Sequence, residues 1–380
     1  MEGPGEEIIL VAYRRTLKFA YPVRILDTAV RSNNPSGEIM KRLACVLSAV
    51  FALLCIGLAQ DPGYKVLDKV KIGGEGGWDY LNADPVTGMV YISRGNHVQV
   101  MSMEKKEVVA DIPNTIGVHG IALAHEFGKG YISDGRDTSV TVFDLKEFKT
   151  LRVIKIKGMN PDAIIYDDFS KRVFTFNGRS SDATAIDAAT DSVVGTVPLE
   201  GKPEFAQSDG KGNIYVNIED KRTITGFDAK TLKVLKTWSI APGEEASGLA
   251  IDRQHHLLFS VASNKKMIVS DYEAGKVVAD VPIGEGPDAA GFDPELQLAF
   301  SSNGREGTLT IVHEDAPDKF TVVDNVKTQM SARTMSLNPK THTIYLSAAE
   351  FGKAPEPTTE NPRPRPQMVP GSFTIVIVGR

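Results

Sequence analysis

Apolar and polar residues alternate in short runs through most of the chain after residue 60, and the runs recur in a fixed order. The segment from Val118, VHGIALAHEFGKGYISDGRDTSVTVFDLKEFKTLRVIKI, reads as an apolar strand, a turn, a second short strand, a Gly/Asp turn, an alternating third strand and a charged turn into a fourth. The segment from Pro287 repeats that order. Alternation with a period of two is typical of strands with one buried face, and no stretch of comparable strength predicts a helix.

Seven such repeats follow one another. Their first strands are spaced about 40 to 45 residues apart, which is the period of four-stranded propeller blades. The first strands are WDYLNAD at Trp78, VHGIALA at Val118, PDAIIYD at Pro161, PEFAQSD at Pro203, ASGLAID at Ala246, PDAAGFD at Pro287 and ARTMSLN at Ala332. The sequence therefore predicts an all-β fold, a single seven-bladed β-propeller of four-stranded blades.

The two ends of the repeat region predict how the ring closes. The segment YKVLDKVKI from Tyr64 precedes the first repeat as a lone strand, and the seventh repeat ends with SFTIVIVGR. We infer that the N-terminal strand completes the last blade, which removes open sheet edges. An open solenoid is the alternative, but it would need polar capping repeats, and the sequence shows none.

A Pro-rich stretch, residues 354–371, interrupts the last repeat between its second and third strands. Its prolines disfavour sheet pairing, so we expect an extended loop on the face of the channel mouth. This loop either caps a site at the mouth or is a solvated, mobile segment.

Residues 40–59 have the charged start, apolar middle and small-residue end of a secretory signal peptide. We expect cleavage after Ala59, with a retained N-terminal anchor as the alternative. Because signal peptides lie at the start of a chain, we interpret residues 1–39 as a non-native upstream extension and Met40 as the true start. Residues 60–380 would then form a periplasmic or secreted propeller with no stable membrane span.

Composition narrows the functional classes. The chain has 380 residues, of which 42% are hydrophobic and 24% charged, and a net charge of −5, so its overall field would not attract nucleic acid. A mean hydropathy of −0.14 argues against a multi-span membrane protein. Both cysteines, Cys45 and Cys55, lie within the signal segment. The mature chain would therefore have neither disulfides nor thiolate metal sites.

Two segments carry a family resemblance: LLFSVASNKKMIVSDYEAGKVVADVPIGEGPDAAGFDPE from Leu257 and GKGYISDGRDTSVTVFD from Gly128. Their order of strand, Asn turn, Asp, charged turn, strand, Gly-Pro, inner strand and Asp-Pro resembles the YVTN-type repeat of YncE-like exported bacterial propellers. The resemblance covers essentially everything after the signal peptide and implies the propeller fold. Its YncE-like branch also implies DNA binding, but fold alone does not assign an activity.

The second residue of each first strand recurs at one mouth of the channel in a closed propeller. This mouth column consists of Asp79, His119, Asp162, Glu204, Ser247, Asp288 and Arg333. The turns between second and third strands lie on the same face and contribute Arg94, Asn96, His97, Asp134, Arg136, Asn177, Arg179, Asn303 and Arg305. We expect a polar cup with carboxylates at its centre and arginines farther out, suited to a cation or to a polar ligand with anionic groups.

A structural role is the alternative for part of this column. An Asp that follows Pro, as in Asp162 and Asp288, can bond the backbone N–H groups of its own turn or of the next blade. His119 and Arg333 break the repeat and are better functional candidates. The predicted ligand-binding set is Asp79, His119, Asp162, Glu204, Asp288, Arg333, Arg136, Arg179 and Arg305.

A metal site is the sharper hypothesis for the mouth. His119, Asp162 and Glu204 lie on successive blades and offer one nitrogen and two oxygen ligands, a set suited to zinc or another divalent ion. Water activated by such a metal would support ester or lactone hydrolysis, with Glu204 or Asp79 as the base. The mature chain contains no nucleophile elbow, phosphate-binding loop or haem motif.

The sequence therefore favours a noncatalytic, exported binding or scaffold propeller. We expect a monomer that holds a small-molecule ligand or an envelope protein at its channel mouth. A metal-dependent hydrolase of lactones or esters is the first alternative. A DNA-binding protein is the second, although the central carboxylates would repel phosphate.

Overall fold

The computed structural model describes residues 62–359 and 364–380, which belong to one compact unit, Ala59–Arg380. The predicted upstream extension (1–39) and signal peptide (40–59) lie outside the described residues. Within them the chain is almost entirely β, with two short 3-10 helices at His125–Phe127 and Glu219–Lys221. In this described part, no helix is both long enough and apolar enough to cross a membrane.

The strands form seven four-stranded antiparallel sheets, the blades, and the strands of blades 1 to 6 are consecutive in the chain. Blade 1 contains β2 (Leu81–Asp84), β3 (Met89–Ser93), β4 (His97–Ser102) and β5 (Glu107–Pro113). Blade 2 contains β6 (Val118–Ala124), β7 (Lys129–Asp134), β8 (Ser139–Asp144) and β9 (Thr150–Lys155). Blade 3 contains β10 (Pro161–Asp167), β11 (Arg172–Asn177), β12 (Asp182–Asp187) and β13 (Ser192–Pro198). Blade 4 contains β14 (Pro203–Ser208), β15 (Asn213–Ile218), β16 (Thr223–Asp228) and β17 (Val234–Ser239). Blade 5 contains β18 (Ala246–Asp252), β19 (Leu257–Ala262), β20 (Lys266–Asp271) and β21 (Lys276–Pro282). Blade 6 contains β22 (Pro287–Asp293), β23 (Leu298–Asn303), β24 (Thr308–Ala316) and β25 (Lys319–Lys327).

Blade 7 joins the two ends of the described chain. It contains β26 (Thr334–Asn338), β27 (Thr343–Ala348) and β28 (Thr374–Gly379), and its outermost strand is β1 (Lys65–Lys71). Strand β1 pairs antiparallel with β28 from Lys65 opposite Gly379 to Lys71 opposite Thr374. The predicted seven-bladed fold and its closure by the N-terminal strand are therefore confirmed.

Burial follows the position of a strand within its blade. Every residue of β19 and β23 is buried, because these second strands lie between the sheets of two neighbouring blades. The outermost strand β5 instead alternates between exposed and half-buried residues over most of its length. Aromatic side chains fill the space between blades, as where Phe174 of blade 3 meets Phe227 of blade 4 with ring centroids 5.6 Å apart.

The segment between β27 and β28 contains the predicted Pro-rich loop. Its base is held by backbone bonds, with Gly352 N–H donating to Gln367 O at 2.9 Å and Val369 N–H donating to Glu350 O at 2.8 Å. Phe351 at this base lies against Trp78, with ring centroids 5.9 Å apart. The base of the insertion therefore contacts the segment that leads into blade 1.

Candidate functional site

The mouth column is held in place by hydroxyl groups of neighbouring strands. Ser93 Oγ accepts a hydrogen bond from Asp79 N–H at 2.8 Å, and Thr334 Oγ1 donates to Asp79 O at 2.8 Å. Ser133 Oγ of blade 2 donates to Asp162 O of blade 3. Because these bonds satisfy the backbone where the first strands begin, the column side chains are left to form contacts with one another.

The side chains of five consecutive column positions form a chain of alternating charge. Arg333 donates to Asp288 through Nη1 and to Asp79 Oδ1 through Nη2, the latter at 3.2 Å. On the other side of Asp79, its Oδ2 lies 2.6 Å from His119 Nδ1. The same His119 nitrogen is 3.5 Å from Asp162 Oδ1. The order carboxylate, guanidinium, carboxylate, imidazole, carboxylate lets each acid contact a cation or a proton donor.

This arrangement favours the charged form of His119. Burial disfavours the imidazolium, but the hydrogen bond to Asp79 and the negative charge of Asp162 outweigh burial and raise the pKa of His119. The nearby Arg333 opposes the rise. His119 therefore donates a proton to Asp79, and carries a positive charge beside Asp162, over a wider pH range than a solvated histidine.

Burial raises the pKa of three acids of the column, Asp162, Glu204 and Asp288. Burial, together with the charge of Asp79, raises the pKa of Asp162 to about 6, although His119 opposes the shift. Burial and the proximity of Asp162 also raise the pKa of Glu204, against the effect of Lys202. Burial raises the pKa of Asp288 despite its pairing with Arg333. The mouth thus concentrates more carboxylates than it can keep fully ionised near neutral pH.

The predicted metal-ligand trio is only partly brought together. The ligand atoms that lie within 4.8 Å of one another belong to Asp79, His119 and Asp162. Glu204 is paired instead with Lys202, whose Nζ is 2.6 Å from Glu204 Oε1 and also contacts Glu219. No residue pattern in the sequence pointed to Lys202, because its position two residues before Glu204 is outside the repeated column.

The predicted arginines of the mouth separate into two groups. Arg136, Arg179 and Arg305 are exposed in the turns between second and third strands, as expected of an outer ring. Arg94 is completely buried and donates to Gly73 O at 2.6 Å and to Glu75 O at 3.0 Å. It therefore fixes the Gly-rich segment before blade 1 and is not available to a ligand.

Other polar turn residues of this face are structural. Asn177 is buried and donates to Thr184 Oγ1 at 3.0 Å, and Asn303 makes the matching bond to Thr310 Oγ1 at 2.8 Å. Asp134 occupies the same position in blade 2 and accepts from Thr141 Oγ1 at 2.7 Å. The three side chains close their own hairpins.

A pocket of about 560 Å³ lies beside the charge chain and is lined by residues of blades 5, 6, 7 and 1. Asp288 and Arg333 contribute its charged wall, and Trp78 and Phe351 contribute an aromatic wall. Arg305 stands at its rim with a side chain that is 80% exposed, 4.0 Å from Glu285. Arg305, Asp288 and Arg333 were predictable as site residues from the sequence, whereas nothing in the local pattern around Phe351 places it beside blade 1.

The central channel below the mouth contains a second cavity of about 470 Å³. Residues from all seven first strands line it, among them Gly120, Ile164, Gln207 and Met335. The rings of Tyr80 and Phe205 meet across the channel with centroids 4.8 Å apart. Tyr80 is also close enough to Asp288, Glu204, Asp79 and Asp162 for their charges to raise its pKa, after burial as the main cause. These two rings lie between the charged mouth and the mostly apolar channel.

Comparisons with known proteins identify the fold. No protein-family model and no curated protein sequence matches the chain. Among solved structures it is similar to hydrazine synthase of Kuenenia stuttgartiensis, with a TM-score of 0.63 and 14% identity over 72% of this chain and 93% of that one. It is also similar to U3-55K, with a TM-score of 0.68 and 9% identity over 83% of this chain and 99% of that one. The WD40 repeats of RRP9 give a TM-score of 0.67 and 9% identity over 83% of this chain and 97% of that one. The chain is a seven-bladed β-propeller with WD40-like structural neighbours.

Proposed function

We propose that this protein is a noncatalytic binding propeller that holds a small ligand with an aromatic or apolar body and an anionic group in the pocket at its channel mouth. The observation that carries the proposal is the pocket of about 560 Å³ between Trp78, Phe351, Arg305 and Arg333. Small-molecule sites combine apolar and aromatic walls with a few placed polar groups, and this pocket has that composition.

The arginines of the pocket differ in their freedom to bind an anion. Arg333 is already paired with Asp288 and Asp79, so its charge is largely neutralised. Arg305 is mostly exposed and its nearest carboxylate, that of Glu285, is at the 4.0 Å limit of an ion pair. We therefore assign recognition of the anionic group to Arg305 and stacking of the ligand body to Trp78.

Tryptophan fluorescence tests this proposal directly. The protein has two tryptophans, Trp78 and Trp238, so Trp238→Phe leaves Trp78 as the only indole reporter. Phenylacetate and 3-phenylpropionate are titrated as probes of the ligand class, with benzylamine as the cationic counterpart. We expect saturable quenching by the anions, weakened about tenfold by Arg305→Gln, which corresponds to ~1.4 kcal/mol. Arg179→Gln is the matched control because Arg179 is an exposed arginine of the same face outside the pocket.

Linear, unsaturable quenching by all three probes, or equal affinity in Arg305→Gln, would refute the assignment of the pocket. An envelope protein is the alternative occupant of this face. Affinity capture with the mouth variant Trp78→Ala beside the native protein would show it as a partner lost only in the variant. Size-exclusion chromatography with light scattering tests the expected monomer.

A metal-dependent hydrolase is the second candidate, and the convergence of Asp79, His119 and Asp162 favours it. The ion would take these residues instead of the predicted set with Glu204, and Arg333 beside Asp79 would oppose a divalent charge. The test is metal content of tag-free protein with His119→Ala alongside, followed by lactone and ester assays. A metal-free mouth after incubation with zinc, manganese and calcium rules this candidate out.

DNA binding is the third candidate. It would require the exposed arginines Arg136, Arg179 and Arg305 to outweigh the carboxylates at the centre of the mouth. A steep fall of affinity with salt would identify it, since phosphate contacts release counterions.

The proposal also includes export of the protein from the cytoplasm. We propose that residues 40–59 direct secretion and are removed, which the charged start and apolar middle of this segment support. Translation from Met40 and N-terminal sequencing of the fractionated protein test it. Gln60 as the first residue of a periplasmic or secreted product is expected, and an uncleaved chain in the cytoplasmic fraction would contradict it.

A further inference from the structure

A second group of potential ligands lies at the end of the blades opposite the mouth. Asp252 is the last residue of β18, the strand whose start carries the column residue Ser247, and His255 is in the turn that follows. Glu314 comes from β24 of the next blade. One ligand atom of each of these three residues lies within 4.8 Å of the other two.

The geometry of this group leaves Glu314 without a conventional partner. His255 Nδ1 is 2.7 Å from Asp252 Oδ2 and also 2.7 Å from Glu314 Oε1. A single imidazole N–H cannot point at both oxygens, and neither oxygen of Glu314 has a hydrogen bond of acceptable geometry among the described residues. The side chain of Glu314 is only 1% exposed and that of Asp252 only 3%, so both carboxylates are shielded from bulk water.

The repeat shows that a carboxylate is not required at this position. The backbone N–H of Glu314 donates to the O atom of Gln297, where the second strand of blade 6 begins. The residues that make the equivalent bond in blades 2 to 5 are all buried and lack a charge: Leu145, Ala188, Ala229 and Tyr272. Blade 6 alone among these five puts an acid in an apolar position, although burying an uncompensated charge costs several kcal/mol.

Among the described residues, a single side chain forms ion pairs with these two acids. Across residues 62–359 and 364–380, the only ion-pair partner of either Asp252 or Glu314 is His255. Burial and the charge of Asp252 raise the pKa of Glu314 to about 7. Two buried carboxylates and one imidazole therefore share a site that has a deficit of positive charge.

We propose that Asp252, His255 and Glu314 bind a divalent transition ion of the zinc class, which links blade 5 to blade 6 on the face opposite the mouth. The set of one imidazole nitrogen and two carboxylate oxygens matches the preference of such ions, with open positions for water. Tetrahedral ligands at about 2.0–2.1 Å from zinc are about 3.3 Å apart, so the two 2.7 Å separations would open by about 0.6 Å on binding. Rotation of the side chain of the turn residue His255 supplies a movement of that size.

The competing explanation is purely structural: a protonated Glu314 that donates to Asp252. The two explanations predict different effects on metal binding when Glu314 is replaced by leucine, the residue at the equivalent position of blade 2. Glu314→Leu restores the apolar repeat, so the variant is expected to fold, and Glu314→Gln keeps the shape while preserving a hydrogen-bond donor.

The experiment measures zinc binding to tag-free full chain and its variants. Each protein is incubated with two equivalents of Zn²⁺, freed of excess by gel filtration, and analysed by mass spectrometry for bound metal. His119→Ala is included because the trio Asp79, His119 and Asp162 is the other group that could hold an ion. The melting temperature with and without Zn²⁺ provides a second readout.

We expect one zinc equivalent that persists in His119→Ala and is lost in Glu314→Leu and Glu314→Gln. Zinc should raise the melting temperature of the native protein and of His119→Ala but leave that of Glu314→Leu unchanged. Without zinc, Glu314→Leu should melt above the native protein. Zinc-free native protein, or an equivalent retained by folded Glu314→Leu, overturns the proposal. An equivalent lost only in His119→Ala also overturns it and assigns the ion to the mouth.

Discussion

Replacing Arg94 by methionine should loosen the junction at which the ring closes. The guanidinium of Arg94 in blade 1 donates to the backbone oxygens of Gly73, Glu75 and Gly76, in the segment that joins β1 of blade 7 to β2 of blade 1. It also lies 3.8 Å from the ring centroid of Phe373, next to β28. Methionine keeps the apolar stem and removes the charge and all five donors.

The magnitude follows from the bonds lost and the burial relieved. Bonds to Gly73 O at 2.6 Å, Gln99 Oε1 at 2.7 Å and Glu75 O at 3.0 Å are well formed, and hydrogen bonds to a charged group contribute about 1.5–3 kcal/mol each. Together they contribute about 5–9 kcal/mol, offset by the several kcal/mol that it costs to bury a guanidinium. We expect Arg94→Met to lower the free energy of unfolding by about 2–4 kcal/mol.

Thermal unfolding followed by circular dichroism measures this effect. For a propeller of about 320 residues, an unfolding entropy of about 2.1 cal/mol/K per residue means that each kcal/mol changes the melting temperature by about 1.5 °C, so Arg94→Met should melt about 3–6 °C lower. Arg136→Met is the control, because Arg136 is exposed on the same face and its replacement should change stability by under about 0.5 kcal/mol. If the two variants melt at the same temperature, the buried guanidinium does not hold the junction and the reasoning fails.

Three further variants test the mouth and the channel. The pKa of His119 is raised in the folded protein. The imidazole therefore contributes its full stabilisation below about pH 6.5, and this contribution is lost as the pH rises through the pKa of the folded state. His119→Gln should abolish this pH dependence in melting temperatures measured from pH 6 to 9. Phe205→Ala removes the ring that meets Tyr80 and should cost about 2–3 kcal/mol in chemical denaturation, less than a fully buried Phe because Phe205 is half-buried. Arg333→Gln leaves two acids short of a cation and should cost about 1–2 kcal/mol, discounted for its 39% exposed side chain, whereas Arg179→Gln should be silent within about 0.5 kcal/mol in the same assay.

The fold was predictable because its information is local and repeated. The predicted first strands at Val118, Pro161, Pro203, Ala246 and Pro287 begin where β6, β10, β14, β18 and β22 begin. The two starts that differ flank the junction of blades 7 and 1. There the predicted starts at Trp78 and Ala332 lie before the first residues of β2 and β26, and Arg333 Nη2 donates to Trp78 O.

The candidate site was predictable as a set of positions but not as a set of contacts. Rotational repetition places Asp79, His119 and Asp162 at one mouth whatever their rotamers, and the structure brings them together. Which cation each acid meets depends on side chains outside the column, as Lys202 shows by pairing with Glu204. Burial is equally non-local: Arg94 occupies a turn like that of Arg305, yet the Gly-rich segment covers the first and leaves the second exposed.

Departures from the repeat separate the candidate functional residues from the structural ones in this propeller. Positions that keep one residue type in several blades make the bonds that every blade needs, as Asn177 and Asn303 do within their hairpins. His119 and Glu314 instead replace what the repeat supplies, and each creates a charge arrangement that a blade does not need in order to fold. A fold with seven equivalent positions contains its own controls, because the cost of each departure can be measured by restoring the repeat residue. If replacing such a residue by the repeat residue stabilises the chain and abolishes ligand binding, the original residue serves the ligand and not the fold.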